Sequence, residues 1–246
     1  MAKVFGKSWP LDYNQLTMGP EEQRVELLDE IMEPLQSYFE TKNAARDRAL
    51  ARSRLLIRHS ARAIRAAHRA EHDAAAELLD TARREAQQML DELAEHPDLL
   101  HSGYTQDALK EYAEANITFA LITDRPLPTP NELGVLPAAY LNGLAEAMGE
   151  MRRYILDVMR QGQVERCEQK LQIMEDVYSA LVTVDYPDAL TLGLRRTTDM
   201  VRGVLERTRG DLTMAARQEA LRQELREFEQ RISSPQRAAA GQEDAA

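Results

Sequence analysis

The stretch from Glu21 to about His96 contains no glycine and a single proline, Pro34. Ala, Leu, Glu, Arg and Gln, most of them good helix formers, dominate the chain. Only 5% of the 246 residues are aromatic, and the alternation of Val, Ile or Thr with polar residues that is typical of strands is missing. The sequence therefore predicts an all-α fold, with a kink or a new helix at Pro34.

Short breaks that contain proline or glycine divide the rest of the chain. Between them, helices are predicted over 105–123, 137–161, 163–184 and 189–232, the last with a weak point at Gly210. Thr129, Pro130 and Glu132 have the spacing of a helix start with a capping box. Six or seven helices joined by short loops indicate one helical bundle domain over 21–232, between an irregular arm at 1–20 and a disordered tail at 233–246.

The sequence argues against a secreted protein and against a membrane-spanning protein. The N-terminal residues MAKVFGKSWPLDYN lack the apolar segment of a secretory signal. No stretch approaches the roughly 18 consecutive apolar residues of a membrane span. The single cysteine, Cys167, excludes an intramolecular disulfide framework and suits a reducing compartment. We therefore predict a soluble, cytoplasmic protein.

The net charge of −10 conceals a basic segment. Residues 46–69 contain eight arginines and one acid, Asp47, so this segment carries +7 and the rest of the chain −17. At 100° per residue, the spacing 4, 4, 3, 4 confines five of these arginines to a helical arc of about 80°. We call these five the arginine row: Arg54, Arg58, Arg62, Arg65 and Arg69. A neighbouring arc is predicted to face the core: Leu50, Ile57, Ala61, Ile64 and His68.

Because the arginine row contains no carboxylate, Glu–Arg pairing one turn apart within this helix is not available to it. Three interpretations remain: binding of an external anion, pairing with acids of other helices, and simple solvation. The first is favoured, with a nucleic-acid backbone as the anion, because guanidinium groups match phosphate oxygens in a bidentate manner.

Two predicted helices carry acids one turn apart, on one face of each helix. These are Glu111 and Glu114 in the 105–123 helix, and Glu146 and Glu150 in the 137–161 helix. If the helices pack side by side, the four carboxylates converge, which is unfavourable unless a proton or cation neutralises them. Mg²⁺ and Mn²⁺ prefer such oxygen ligands. The plainer interpretation is that these are helix-forming glutamates, some of them paired with Arg152 and Arg153.

A second motif offers a competing interpretation. His68, Glu71 and His72 match the H-x-x-E-H pattern of a class of zinc peptidases. The pattern is short and easily met by chance in a charged helix, and His68 falls on the arc predicted to face the core. A zinc site here is therefore disfavoured. A di-iron site at the glutamates is disfavoured too, because neither helix has the Glu-x-x-His pair of such bundles.

Four blocks of the sequence resemble the translin superfamily: SARAIRAAHR, GYTQDALKEYAEA, ELGVLPAAYLNGLAEAMGEMRRYILD and LRRTTDMVRGVLERTRGDL. The resemblance extends from about Glu21 to Arg217, and the third block is the most specific. It implies an all-α fold of about seven helices that assembles into hollow octamers. The family includes translin, which binds single-stranded RNA and DNA, and translin-associated factor X, a Mg²⁺-dependent ribonuclease subunit.

The resemblance also implies roles for individual residues. Glu111, Glu114, Glu146 and Glu150 match the four acids of the catalytic subunit, with Glu146 at a position where the family has Asp. These four are the expected catalytic and metal-binding residues, and the arginine row is expected to hold the nucleic acid. The resemblance thus predicts a homo-oligomer, expected to be an octamer, that cleaves single-stranded RNA with Mg²⁺ or Mn²⁺. The alternative is a non-catalytic oligomer that binds single-stranded RNA or DNA.

Overall fold

The computed structural model describes residues 20–233, with side chains over 24–163 and 166–232. Within this range the chain forms six long helices and three of a single turn: α1 (Pro20–His68), α2 (His72–Glu92), α3 (Pro97–Leu100), α4 (Gly103–Ile122), α5 (Pro130–Leu133), α6 (Pro137–Arg160), α7 (Val164–Val182), α8 (Asp188–Thr191) and α9 (Leu194–Ser233). Since these residues include no strand, the predicted all-α class is confirmed. Most of the predicted arm and tail lies outside the described residues.

The described helices differ in length and polarity, but none of them combines the length and the apolar character that a membrane span requires. Contacts divide the chain into two compact units, with the boundary between Arg48 and Ala49 inside α1. In the first unit, the described part of α1 carries a set of exposed apolar side chains: Val25, Leu27, Leu28, Met32, Leu35, Tyr38 and Phe39.

In the second unit, α6 packs against α4, α7 and α9. Its side chains Met148, Met151 and Ile155 are fully buried. Arg152 extends from α6 to α9 and donates to Asp211 at 2.8 Å. Helix α2 packs against α4. Helix α6 therefore contacts three long helices, which position the backbone from which its acids extend.

Several predicted helix ends are confirmed. The Thr129 hydroxyl accepts from the Glu132 backbone N–H, and the Glu132 carboxylate accepts from the Thr129 N–H, which completes the capping box of α5. Helix α6 begins at Pro137 and ends just before Gly162, which has the left-handed φ of +77°. These ends were predictable because each depends on a residue with a specific backbone requirement.

Two breaks lie elsewhere than predicted. No new helix begins at Pro34, which lies inside α1, and the long helix divides at Ala70, which has a φ of +58°. The last helix is interrupted at Leu192 and Gly193, while Gly210 lies inside α9. Ala70 and Leu192 adopt the left-handed conformation without being glycine, which costs about 1 kcal/mol each. Gly193 gives a sequence signal for the second break, but nothing in the sequence marks the break at Ala70.

The core-facing arc of α1 also differs from the prediction. Of the five residues predicted to face the core, Ile64 and the His68 side chain are buried, whereas Leu50, Ile57 and Ala61 are only half-buried. The buried residues of α1 centre on Ala49, Leu56, Ala63 and Ala67. At 100° per residue the arginine row therefore lies opposite the buried arc and not beside it. The prediction favoured large side chains, but the buried side of this helix consists mainly of alanine and serine.

Candidate metal centre and basic surface

Three of the four predicted carboxylates converge. Glu111 and Glu114 on α4 and Glu146 on α6 each have an oxygen within 4.8 Å of the others. The two helices can approach closely because Gly143 faces α4: a Cβ there would lie 2.8 Å from the Lys110 carbonyl oxygen and 3.0 Å from the Glu114 nitrogen. Gly143 is one turn before Glu146, so this close contact brings Glu146 beside the α4 acids.

The electrostatics of the cluster are unfavourable in the absence of a cation. Burial, followed by the charges of Glu111, Glu146 and Glu150, raises the pKa of Glu114 from 4.5 to about 8. Burial also raises the pKa of Glu111. Glu114 is the most deeply buried of the three acids and holds a proton at neutral pH. Convergent carboxylates with raised pKa values are typical of cation-binding sites, although ion-pair networks produce them too.

A lysine already contacts this cluster. Lys110 Nζ lies 2.9 Å from Glu146 Oε1 and 3.9 Å from Glu111 Oε1. Burial opposes the charge on Lys110, but the hydrogen bond to Glu146 and the charges of nearby acids outweigh it, so the Lys110 pKa is raised. Lys110 is not among the residues predicted from the sequence, although its position directly before Glu111 was a signal that could have identified it.

Glu150, the fourth predicted acid, is outside the group of three. Its Oε2 lies 2.5 Å from His68 Nε2 at the end of α1. The hydrogen bond to His68 lowers the Glu150 pKa, against the opposing effect of burial. The His68 side chain is only 3% exposed, and its Nδ1 has no hydrogen-bond partner among the described residues. Glu150 thus interacts mainly with α1 and stays ionised.

The contacts of His68 separate it from the zinc motif. His68 ends α1, Glu71 precedes α2 and His72 begins α2, so the three residues do not share one helix. Glu71 pairs with Arg69 at 2.7 Å, and the His72 ring packs against Phe119. The geometry that a zinc-binding H-x-x-E-H helix needs is therefore absent from these residues.

The arginine row is exposed along its whole length. Arg69 pairs with Glu71 across the turn after α1. The other four arginines form no ion pair with any residue that the structure describes. By contrast, Arg52, which lies outside the row, bonds Glu85 and Glu92 of α2. Among the described residues, most of the row is therefore not neutralised by acids of other helices. Binding of an external anion and simple solvation both remain open for it.

Comparison with known proteins gives three kinds of result. No protein-family model matches the sequence. Uncharacterized protein MJ0175 of Methanocaldococcus jannaschii is 31% identical over 214 residues, which cover 86% of this chain and 94% of that protein. Solved structures of C3PO proteins have the same fold.

The crystal structure of AfC3PO has a TM-score of 0.70 and 31% identity, over 75% of this chain and 96% of that one. A structure of AfC3PO in complex with duplex RNA has a TM-score of 0.69 and 32% identity over the same shares. The crystal structure of apo-NeC3PO, at 24% identity and a TM-score of 0.64 over 81% of this chain and all of that one, supports the fold alone.

Proposed function

The chain belongs to the translin superfamily, and from this premise we propose that it binds single-stranded RNA and cleaves it by metal-dependent hydrolysis of the phosphodiester. The observation that carries this proposal is the convergence of Glu111, Glu114 and Glu146. Three carboxylates within 4.8 Å of one another supply the hard oxygen ligands that Mg²⁺ and Mn²⁺ prefer. The donor set therefore fits a divalent cation of this kind.

Each set of residues has a distinct role in the proposed reaction. When bound, the divalent ion would supply an activated water and neutralise charge on the phosphate. Glu111, Glu114 and Glu146 would hold the ion, and Glu150, kept ionised by His68, would accept a hydrogen bond from the attacking water. The exposed arginines opposite the buried side of α1 would bind successive phosphates without regard to base sequence.

A specific observation favours the alternative, a non-catalytic nucleic-acid-binding oligomer. Two of the four acids already have partners within the chain, since Lys110 bonds Glu146 and His68 bonds Glu150. In that case the arginine row would bind RNA or DNA, and the acid cluster would remain neutralised by the chain itself.

The form of the RNA and the assembly are part of the proposal. A relative has been solved with duplex RNA, so single-stranded and duplex RNA are both to be tested. We propose a homo-octamer in the cytoplasm, as the family resemblance implies. Exposed apolar side chains along the C-terminal part of α9 support self-association.

The test is cleavage of end-labelled RNA by wild type and Glu114→Gln, with Mg²⁺ and with EDTA. Gln resembles the protonated acid that Glu114 becomes at neutral pH, so this variant is expected to fold while losing a charged ligand. Glu206→Gln, which removes an exposed carboxylate on α9, is the matched control. Both proteins are purified in the same way.

We expect wild type and Glu206→Gln to cleave single-stranded RNA with Mg²⁺ only, and Glu114→Gln to lose at least about a hundredfold in rate. Cleavage that survives both EDTA and Glu114→Gln would indicate a contaminating nuclease. RNA binding without cleavage under any condition would favour the non-catalytic alternative.

A further inference from the structure

Lys110 extends from α4 into the acid cluster. Its ammonium contacts Glu146 at 2.9 Å and Glu111 at 3.9 Å. Among the residues that the structure describes, no other lysine or arginine makes an ion pair with Glu111, Glu114 or Glu146. Lys110 is thus the positive charge that the chain itself supplies to the cluster.

This contact involves the same carboxylate that a divalent ion would need. A lysine ammonium is a compact point charge with three donors, and it occupies the same region of negative potential as a bound cation. A divalent ion at Glu146 Oε1 and the Lys110 ammonium would repel each other at contact distance, so each weakens the binding of the other. Lys110 and a divalent ion therefore compete for Glu146.

Lys110 is able to leave. Its side chain is 21% exposed, so part of the side chain already contacts solvent. The flexible four-carbon stem allows such a movement without displacement of the α4 backbone. Lys170, by comparison, is only 5% exposed and bonds the Leu121 carbonyl and Asp124, which is the arrangement of a lysine with a fixed structural role.

We propose that Lys110 is a built-in competitor of the divalent ion: it holds Glu146 when no ion is bound and so sets the ion concentration at which the site fills. This inference rests on the proposed function, because it requires that the acid cluster takes up a divalent ion. Lys110 is therefore a positioning residue that regulates the metal centre.

The experiment measures Mn²⁺ binding directly, in protein freed of metal by EDTA and without RNA. Free Mn²⁺ is counted by electron paramagnetic resonance for wild type, Lys110→Gln, Lys110→Met and Lys110→Arg. The first two variants remove the charge by different side chains, so that a folding failure of one leaves the other. Lys110→Arg keeps the charge. Arg52→Gln is the matched control, since Arg52 is 26% exposed and pairs with acids of α2.

We expect Lys110→Gln and Lys110→Met to lower the Mn²⁺ Kd by about tenfold, because a unit charge at contact distance from a ligand is removed. Lys110→Arg is expected to stay near wild type, and Arg52→Gln to change the Kd by less than about twofold. Saturating Mn²⁺ is also expected to raise the melting temperature more in the two neutral variants than in wild type. Tight binding by the neutral variants alone, with none by wild type, would support the proposal as well.

Equal or weaker Mn²⁺ binding by both neutral variants, beside a wild type that binds and cleaves, overturns this inference and leaves the proposed function intact. Absence of Mn²⁺ binding in wild type and in both neutral variants overturns both.

Discussion

At the scale of single residues, Glu146 and Glu150 lie one turn apart on α6, where like charges repel by roughly 0.2–0.5 kcal/mol. The two carboxylates diverge: Glu146 contacts Lys110 on α4, and Glu150 contacts His68 on α1. Each acid therefore has a partner on a different helix, which offsets the local repulsion. Glu146 is one methylene longer than the Asp that the family resemblance implies, and its carboxylate still reaches the α4 acids.

The raised pKa of Glu114 predicts a pH-dependent stability. In EDTA, the folded protein keeps the Glu114 proton up to about pH 8, whereas the unfolded chain loses it near the ordinary value of 4.5. The stability that this proton contributes is fully present below the Glu114 pKa of the unfolded chain. It is lost as pH rises from that value through the pKa of about 8 in the folded protein. The free energy of unfolding should fall by up to a few kcal/mol, at about 1.4 kcal/mol per unit of pKa shift.

Glu114→Gln cannot lose a proton, so its free energy of unfolding should fall less over the same range. The measurement is urea denaturation at several pH values, with Glu206→Gln as the control that keeps the wild-type slope. Parallel curves for wild type and Glu114→Gln would mean that Glu114 titrates normally.

At the scale of helices, the sequence predicts what depends on strong local signals. The capping box at Thr129, the start at Pro137 and the end before Gly162 each have a dedicated residue. The break at Ala70 has none, because a non-glycine residue adopts the left-handed conformation there under tertiary constraint. Both acid pairs, on α4 and on α6, were predictable from helical spacing, and the resemblance added their proposed catalytic and metal-binding roles. The contacts of Lys110 and His68 depend on which helices meet, which spacing along one helix does not encode.

Gly143→Ala tests the close contact between α4 and α6. The new Cβ would meet backbone atoms of α4 at 2.8 and 3.0 Å, which cannot move aside as a flexible side chain can. We expect a loss of about 1–3 kcal/mol in the free energy of unfolding, despite the better helix propensity of alanine. Because the helices must separate, Mn²⁺ binding by the cluster should weaken as well.

Gly149→Ala is the matched control on the same helix. Apart from its chain neighbours and the nearby backbone of α6, a Cβ at Gly149 would meet no described atom within 4 Å. This substitution should therefore stabilise the protein by about 0.5–1 kcal/mol through helix propensity alone. Equal effects of the two substitutions in urea denaturation would show that the α4–α6 contact is not tight.

Arg62→Gln tests the arginine row. Arg62 is exposed and forms no ion pair with the described residues, so its loss should not affect folding. If Arg62 contacts a phosphate, affinity for RNA should decrease equally for different sequences. The slope of log K against log salt should become less steep by the contribution of about one phosphate contact. The measurement is fluorescence anisotropy over a salt series. Arg202→Gln is the control, since Arg202 pairs with Glu206; an unchanged slope in Arg62→Gln would exclude Arg62 from the interface.

At the scale of the whole molecule, the C-terminal part of α9 carries one apolar side chain every three or four residues: Leu221, Leu225, Phe228 and Ile232. Each is more than half exposed. The spacing 4, 3, 4 places them on one side of the helix, which is the arrangement that a second helix covers in coiled-coil packing. Charged residues and glutamines fill the remaining positions, so this side is the surface we assign to contact with another copy of the chain.

Leu225→Glu should disrupt that contact without affecting the fold of the chain, because Glu is a good helix former and position 225 is exposed. Light scattering coupled to gel filtration should give wild type eight times the 27.9 kDa mass of one chain, and Leu225→Glu a smaller multiple. Gln223→Glu adds the same charge on the opposite side of α9 and should keep the wild-type mass.

If Leu225→Glu also keeps the wild-type mass, the assembly uses another surface. A wild type with the mass of one chain would contradict the proposed octamer. A dissociated Leu225→Glu that still binds Mn²⁺ would further show that the acid cluster is complete within one chain.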